Sequence, residues 1–216
     1  MDRSAFLERV AEAARPLQRV ELPGAFPRTP ASGDGADFET FRVALASYNG
    51  LARMVGWDGL TGAVADVVRE LPAGRRVVIS PDVDPWREEV ERGLAEAGAE
   101  VVRPEPAVWR GEAARADLGV TSAAVAVAST GSILIVPGPT HPRVASLLPG
   151  AHLAIVPASR LVAGFEDVMP VLREVAGTSS APVLVTGPSK TSDIEMTMVY
   201  GVHGPKSLRV IIVDEP

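Results

Sequence analysis

The run Gly187-Pro188-Ser189-Lys190-Thr191-Ser192-Asp193-Ile194-Glu195 places hydroxyls, a lysine and two carboxylates directly behind an apolar strand pattern. Ser192 and Glu195 stand at capping-box spacing, in which the hydroxyl accepts from the third amide of a helix and the carboxylate accepts from the first. Open amides at a helix start, beside hydroxyls and an ammonium, make a site for a small anion. Its candidate ligand-binding residues are Gly187, Ser189, Lys190, Thr191, Ser192 and Asp193. Spacing alone favours the plainer reading, an ordinary capped helix start. The run is not a Walker A loop, which needs Gly-Lys-Ser/Thr after a longer spacing. Lys190 and Lys206 are the only lysines of the chain, and both fall in this region. Lysine is a compact point charge suited to catalytic work.

Gly201-Val202-His203-Gly204-Pro205-Lys206 follows one turn later. His203 there is either an acid/base or contact residue, since histidine titrates near neutrality, or a turn residue bonded to a backbone carbonyl. His141 and His152 read as structural. A third polar group comprises Thr121 and Ser122 with Ser129, Thr130, Gly131 and Ser132, which interrupt two apolar runs. It is read equally as a tight strand turn or as a ligand site using Thr121, Thr130, Gly131 and Ser132. No acidic residue occurs from Leu118 to Phe165, whereas Arg143 and Arg160 do. A cleft shared by this stretch and Gly187 to Lys190 would favour an anion. Asp193 and Glu195, two apart on a helix, point to different sides.

Other chemistries are excluded by residue type. The chain has no cysteine, which removes disulfides, zinc–thiolate sites, cysteine nucleophiles and thiolate-held iron–sulfur clusters. The three histidines lack metal-ligand spacing, and no cofactor is expected. A net charge of −6 with no visible basic face argues against nucleic acid. The N-terminus is charged and amphipathic, unlike a signal peptide. The uncharged stretch Leu118 to Pro142 is too broken by Ser, Thr, Gly and Pro for a membrane span and reads as paired or adjacent buried strands, so a cytoplasmic protein is expected.

These residues need elements to hold them. In 216 residues, 46% of them apolar, one α/β domain is expected behind a helical segment. Helices are predicted over Ala5 to Val20, Phe38 to Val55, Leu60 to Leu71, Trp86 to Ala97, Phe165 to Val175 and Asp193 to Tyr200, with a Pro/Gly-rich loop from Leu22 to Asp37. Strands are predicted at Arg76 to Ser80, Glu100 to Arg103, Asp117 to Thr121, Ile133 to Val136, His152 to Val156, Val183 to Thr186 and Leu208 to Val213. Short β-branched strands alternating with helices imply a mostly parallel open sheet flanked by helices, whose ligands sit at the carboxyl ends of strands. The expected division is 1–58, an N-terminal helical segment, and 59–216, an α/β domain.

The run GPSKTSDIEMTMVYGVHGPKSLRVIIVD from Gly187 to Asp214 resembles the C-terminal signature of the lactate utilisation protein C family, the LUD domain. GVTSAAVAVASTGSILI from Gly119 to Ile135 and SLLPGAHLAIVPASRLV from Ser146 to Val162 are similar to its other conserved stretches. The resemblance covers roughly Leu60 onward. It implies a fold like that of the sugar-phosphate isomerase and CoA-transferase superfamily (NagB/RpiA/CoA transferase). It also implies a role in oxidising L-lactate to pyruvate with iron–sulfur partner proteins. Where that family often has an acidic residue before Thr-Gly, this chain has Ser129. The expectation is an accessory or substrate-positioning subunit that binds a small anionic ligand, with Glu195 and His203 as partner or site contacts. The competing expectations are a free-standing CoA-transferase-like enzyme acting on a phosphorylated or carboxylated compound, and a structural or regulatory protein. A helix between Asp193 and Tyr200 would hold His203 away from Lys190, unless the chain folds back or a homo-oligomer supplies one of them.

Overall fold

Runs of β-branched and other apolar residues form the strands, which among the described residues make a six-stranded sheet, a four-stranded sheet and a two-stranded pair. The computed structural model describes residues 2–14, 37–71, 75–138, 142–175, 179, 181–191 and 199–214. Its strands are β1 (Leu51–Gly56), β2 (Arg76–Ile79), β3 (Glu100–Val102), β4 (Leu118–Ser122), β5 (Val125–Val127), β6 (Ser132–Ile135), β7 (Ala151–Pro157), β8 (Leu161–Val162), β9 (Val183–Val185), β10 (Lys190–Thr191), β11 (Val199–Tyr200) and β12 (Ser207–Asp214). Its helices are α1 (Arg3–Ala14), α2 (Phe38–Ser47), α3 (Leu60–Arg69), α4 (Arg87–Glu96), α5 (Trp109–Arg115), α6 (Val144–Leu147) and α7 (Val168–Val175). The main sheet has the order β1-β12-β7-β4-β2-β3, and every pairing in it is parallel.

Parallel strands covered on both faces must be apolar on both faces, and β7 and β12 are. Leu153 and Ile155 with Ile211 and Val213 pack on one side, against Leu60, Val64, Val67 and Val68 of α3 and Val90 and Leu94 of α4. Ala154 and Val156 with Leu208, Val210 and Ile212 face the other way, onto Phe41 and Leu45 of α2 and onto Ile133 and Ile135 of β6. Each large branched side chain withdrawn from water contributes roughly 1.5–3 kcal/mol, so these two strands anchor the fold. Towards the β3 edge, Val78 of β2 packs with Trp109, Ala113 and Ala145 from α5 and α6.

The second sheet has the order β8-β5-β6-β9. β5 and β6 form an antiparallel hairpin, and β9 joins β6 antiparallel. The uncharged stretch after Leu118 is therefore paired buried strands. β9, expected within the parallel sheet, instead lies in this smaller one. The mostly parallel, helix-flanked α/β architecture otherwise stands as expected.

Two elements differ from the sequence reading. The helix expected over Phe38 to Val55 ends at Ser47, and Leu51–Gly56 is the edge strand paired with β12. The break is Asn49-Gly50, where Asn49 takes φ 65° and Gly50 lies against Leu45 so closely that a Cβ would meet its side chain. Residues 38–58 thus supply a helix and a sheet strand rather than helix alone. Of the helix expected over Asp193 to Tyr200, residues 193–198 lie outside the described residues, while Val199–Tyr200 forms a strand rather than helix. The part of the first helix beyond Ala14 and the Leu22 to Ala36 portion of the loop also lie outside them.

Candidate functional site

β10 and β11 pair antiparallel, Lys190 with Tyr200 and Thr191 with Val199, so the chain returns on itself behind the Gly187 turn. The Ser189 amide donates to the Pro205 carbonyl at 3.0 Å, and the Gly201 amide donates to the Ser189 carbonyl at 2.9 Å. The His203 amide donates to the Ser189 Oγ at 3.4 Å. The separation expected of His203 from the Gly187 segment is therefore corrected: the antiparallel pairing of β10 with β11 and the bonds of Ser189 bring the two runs side by side. One chain brings them together without a second copy. Gly187 makes the approach practicable, because at φ 78° a Cβ would lie 2.7 Å from both Cβ and the carbonyl oxygen of Tyr48 at the end of α2.

Between these segments and the amino ends of β7 and β12 lies a cleft of about 230 Å³. Gly187, Pro188 and Ser189 form one wall, and His203, Gly204 and Pro205 form another. The floor is His152, Leu208, Ser146 and Leu147, with Leu184, Val185 and Thr186 closing the side. No lining side chain bears a formal charge when its histidines are neutral. What polar character the cleft has comes from hydroxyls, imidazoles and backbone.

His152 is wholly buried, and its Nε2 lies 2.9 Å from the Thr121 Oγ1. Burial pushes its pKa down from 6.5 to about 4, since a charge withdrawn from water is disfavoured. It stands in the cleft floor as a neutral imidazole at neutral pH. A chain of hydroxyls reaches the side wall: the Thr130 Oγ1 donates to the Ser132 Oγ at 2.8 Å, and the Ser132 and Thr186 hydroxyls are hydrogen-bonded to each other at 2.6 Å. Gly131 turns the β5–β6 hairpin at φ 63°, and a Cβ there would lie 2.2 Å from the Leu45 amide nitrogen. Thr121, Thr130 and Ser132 thus reach the cleft through His152 and Thr186, whereas Gly187, Ser189 and His203 line it directly.

Lys190, next to Ser189 in the chain, does not line the cleft; its Nζ lies 5.6 Å from the centroid of the Tyr48 ring, a distance at which a cation is attracted to the ring face. Thr191 enters β10 through its backbone. Ser192, Asp193 and Glu195 lie outside the described residues. Among the described residues no group of His, Asp or Glu is arranged to hold a metal ion, and no helix is long and apolar enough to cross a membrane. The cleft lining also takes in Ser146, Thr186 and His152, the last read from the sequence as structural; a histidine inside the apolar run AHLAIV must find a polar partner, and here it is Thr121. Thr186 was seen only as a strand end.

Comparison with known proteins assigns the larger part of the chain to a family. The LUD domain matches residues 75–213, which include the whole cleft. A lactate utilization protein C from Deinococcus radiodurans is 31% identical over 175 residues, 80% of this chain and 77% of that relative. Another from Shouchella clausii is 33% identical over 129 residues, 55% of this chain, so the match spans 56% of that relative's length. The crystal structure of a DUF162 family protein from Deinococcus radiodurans superposes with a TM-score of 0.57 at 28% identity, over 81% of this chain and 94% of that one. The chain belongs to the LUD domain family, the family of the lactate utilization protein C relatives.

Proposed function

We propose that this protein is an accessory, ligand-positioning subunit in the oxidation of L-lactate to pyruvate, and that it works with iron–sulfur partner proteins. The observation that carries the reading is the meeting of Gly187 to Ser189 with His203 to Pro205 around one cleft, inside a chain whose relatives are named for lactate utilization. A chain without cysteine offers no thiolate for an iron–sulfur relay, so such a relay would sit in partner proteins.

The cleft suits a small ligand with one polar end. Its apolar flank is Leu147, Leu184, Val185 and Leu208. Neutral His152, Thr186 and Ser189 can exchange hydrogen bonds with a hydroxyl or carboxylate, and Lys190, next to Ser189 in the chain, supplies positive potential. Ser192 and Asp193 complete the expected anion-binding run, and Glu195 with His203 would meet the ligand or a partner. The test is calorimetry with lactate and pyruvate against the unaltered chain and the Lys190→Ala variant. Charge-assisted contacts contribute roughly 1.5–3 kcal/mol; with Lys190 acting through space, the expected loss of affinity is at the lower end of that range. Equal affinity in the variant removes Lys190 from the site. Absence of binding to either acid by the unaltered chain removes the cleft as a lactate or pyruvate site.

A further inference from the structure

The main sheet has a second cavity, of about 250 Å³, at the opposite end of its strands. β7 begins at the first cleft with His152 and reaches the second cavity at Pro157. Five residues of strand place the two about 17 Å apart at ~3.3 Å per residue. The position is one that the topology singles out. From β2 the chain moves outward to β3, and from β4 it moves the other way towards β7 and β12. Adjacent parallel strands whose connections depart in opposite directions leave a crevice at their carboxyl ends, where open α/β sheets bind ligands. Trp86, behind β2, and Ser122 to Ala124, at the end of β4, line this cavity.

The polar groups left for a ligand are few. The Ala123 and Ala124 amides are occupied, donating to Ile155 and Leu134 carbonyls at 2.9 and 2.8 Å. The side chains that remain are the Ser122 hydroxyl, the Arg160 guanidinium and the Glu174 carboxylate, against the apolar surfaces of Trp86 and Val171. None of the ion pairs among the described residues uses Arg160 or Glu174. A guanidinium fork matches one carboxylate with two parallel hydrogen bonds. Glu174 on the same rim repels a second negative charge.

We propose that this cavity is a binding site for a small monocarboxylate, with Arg160 holding the carboxylate, Ser122 donating to it, Trp86 and Val171 covering the apolar body, and Glu174 rejecting dianions. The site does not rest on the lactate reading, and its ligand need not be that of the first cleft. The test is amide-resolved NMR titration of the full chain with butyrate, succinate and inorganic phosphate. Butyrate is expected to shift the Ser122, Ala123, Ala124 and Arg160 amides and to bind more tightly than succinate or phosphate. Arg160→Gln should weaken butyrate by about ten-fold, the cost of losing a charged hydrogen-bond partner. Glu174→Gln should admit succinate more tightly, and exposed Arg110→Gln should change nothing. Butyrate shifts confined to Thr186 to Ser189, no shifts at all, or unaltered affinity in Arg160→Gln would overturn the site. Equal binding of butyrate and succinate by the unaltered chain, or no gain for succinate in Glu174→Gln, would overturn its selectivity.

Discussion

His152 carries a pH signature that separates it from the acidic groups of the chain. Unfolded, a histidine takes up its proton near 6.5, whereas buried His152 resists until about 4. Across that interval the unfolded chain binds the extra proton, so the contribution of His152 is complete above about 6.5 and is lost as pH falls towards about 4. The loss amounts to roughly 3 kcal/mol. The carboxyls of Asp37, Glu39, Glu91 and Glu112 are held below the ordinary carboxylate range by Thr40, Arg42, Arg103 and Arg76 respectively, so their contributions fade at lower pH. Urea unfolding followed between neutrality and about pH 4 should show this slope, and His152→Gln should flatten it. An equal slope in the variant would assign it elsewhere. The His203 side chain is exposed, and its amide, not its ring, bonds Ser189. His203→Ala should therefore keep its stability within about 0.5 kcal/mol while failing to support growth on lactate. A destabilised variant that still supports growth would leave His203 a turn residue.

Turns, rather than strands, decide whether the cleft forms. Gly131 and Gly187 bring the β5–β6 hairpin and the Gly187 turn against the backbone of α2. Gly131→Ala meets backbone that cannot move aside and also takes a left-handed conformation, at a cost of about 2–4 kcal/mol. Gly187→Ala is costly for the same reasons and should in addition disturb the Ser189 wall. Thermal melts of both variants, with Gly62→Ala in α3 as a control where a Cβ meets open space, check this; three equal melting temperatures would refute it. The strands themselves were legible: RVVIS, HLAIV and LRVIIV are continuous apolar runs, and α4 stops at Gly98 as its sequence suggests. Short elements were not. α5 has seven residues behind two prolines, too few for a periodic pattern. Asn49-Gly50 was a readable break between α2 and β1, yet apolar residues in helical register carried the reading past it. The β10–β11 pairing was illegible for another reason. Lys190 and Tyr200 meet through a non-local contact, and local capping chemistry at Ser192 argued for a helix. Thr121, Thr130 and Ser132 were singled out as hydroxyls at a strand break, but their partners His152 and Thr186 are far off in sequence, which a linear reading cannot supply.

At the scale of the whole molecule, the parallel sheet has two differently furnished ends. The amino ends of β7 and β12 carry a cleft of neutral hydrogen-bonding groups, and the carboxyl ends of β4 and β7 carry Arg160 beside Trp86. The chain has no cysteine and so no thiolate with which to hold an iron–sulfur cluster. The purified chain should accordingly be colourless. The most direct measurement is lactate-dependent acceptor reduction by the proposed iron–sulfur partner proteins, assayed with this chain absent, present, or present as the Thr186→Val/His203→Ala double variant. The account predicts no turnover by the chain alone, turnover when partners and unaltered chain are combined, and a rate at least about ten-fold lower with the double variant, the effect of losing one or two polar contacts to the ligand. Lactate oxidation by the lone chain, or an undiminished rate from the partners without it, would contradict the account.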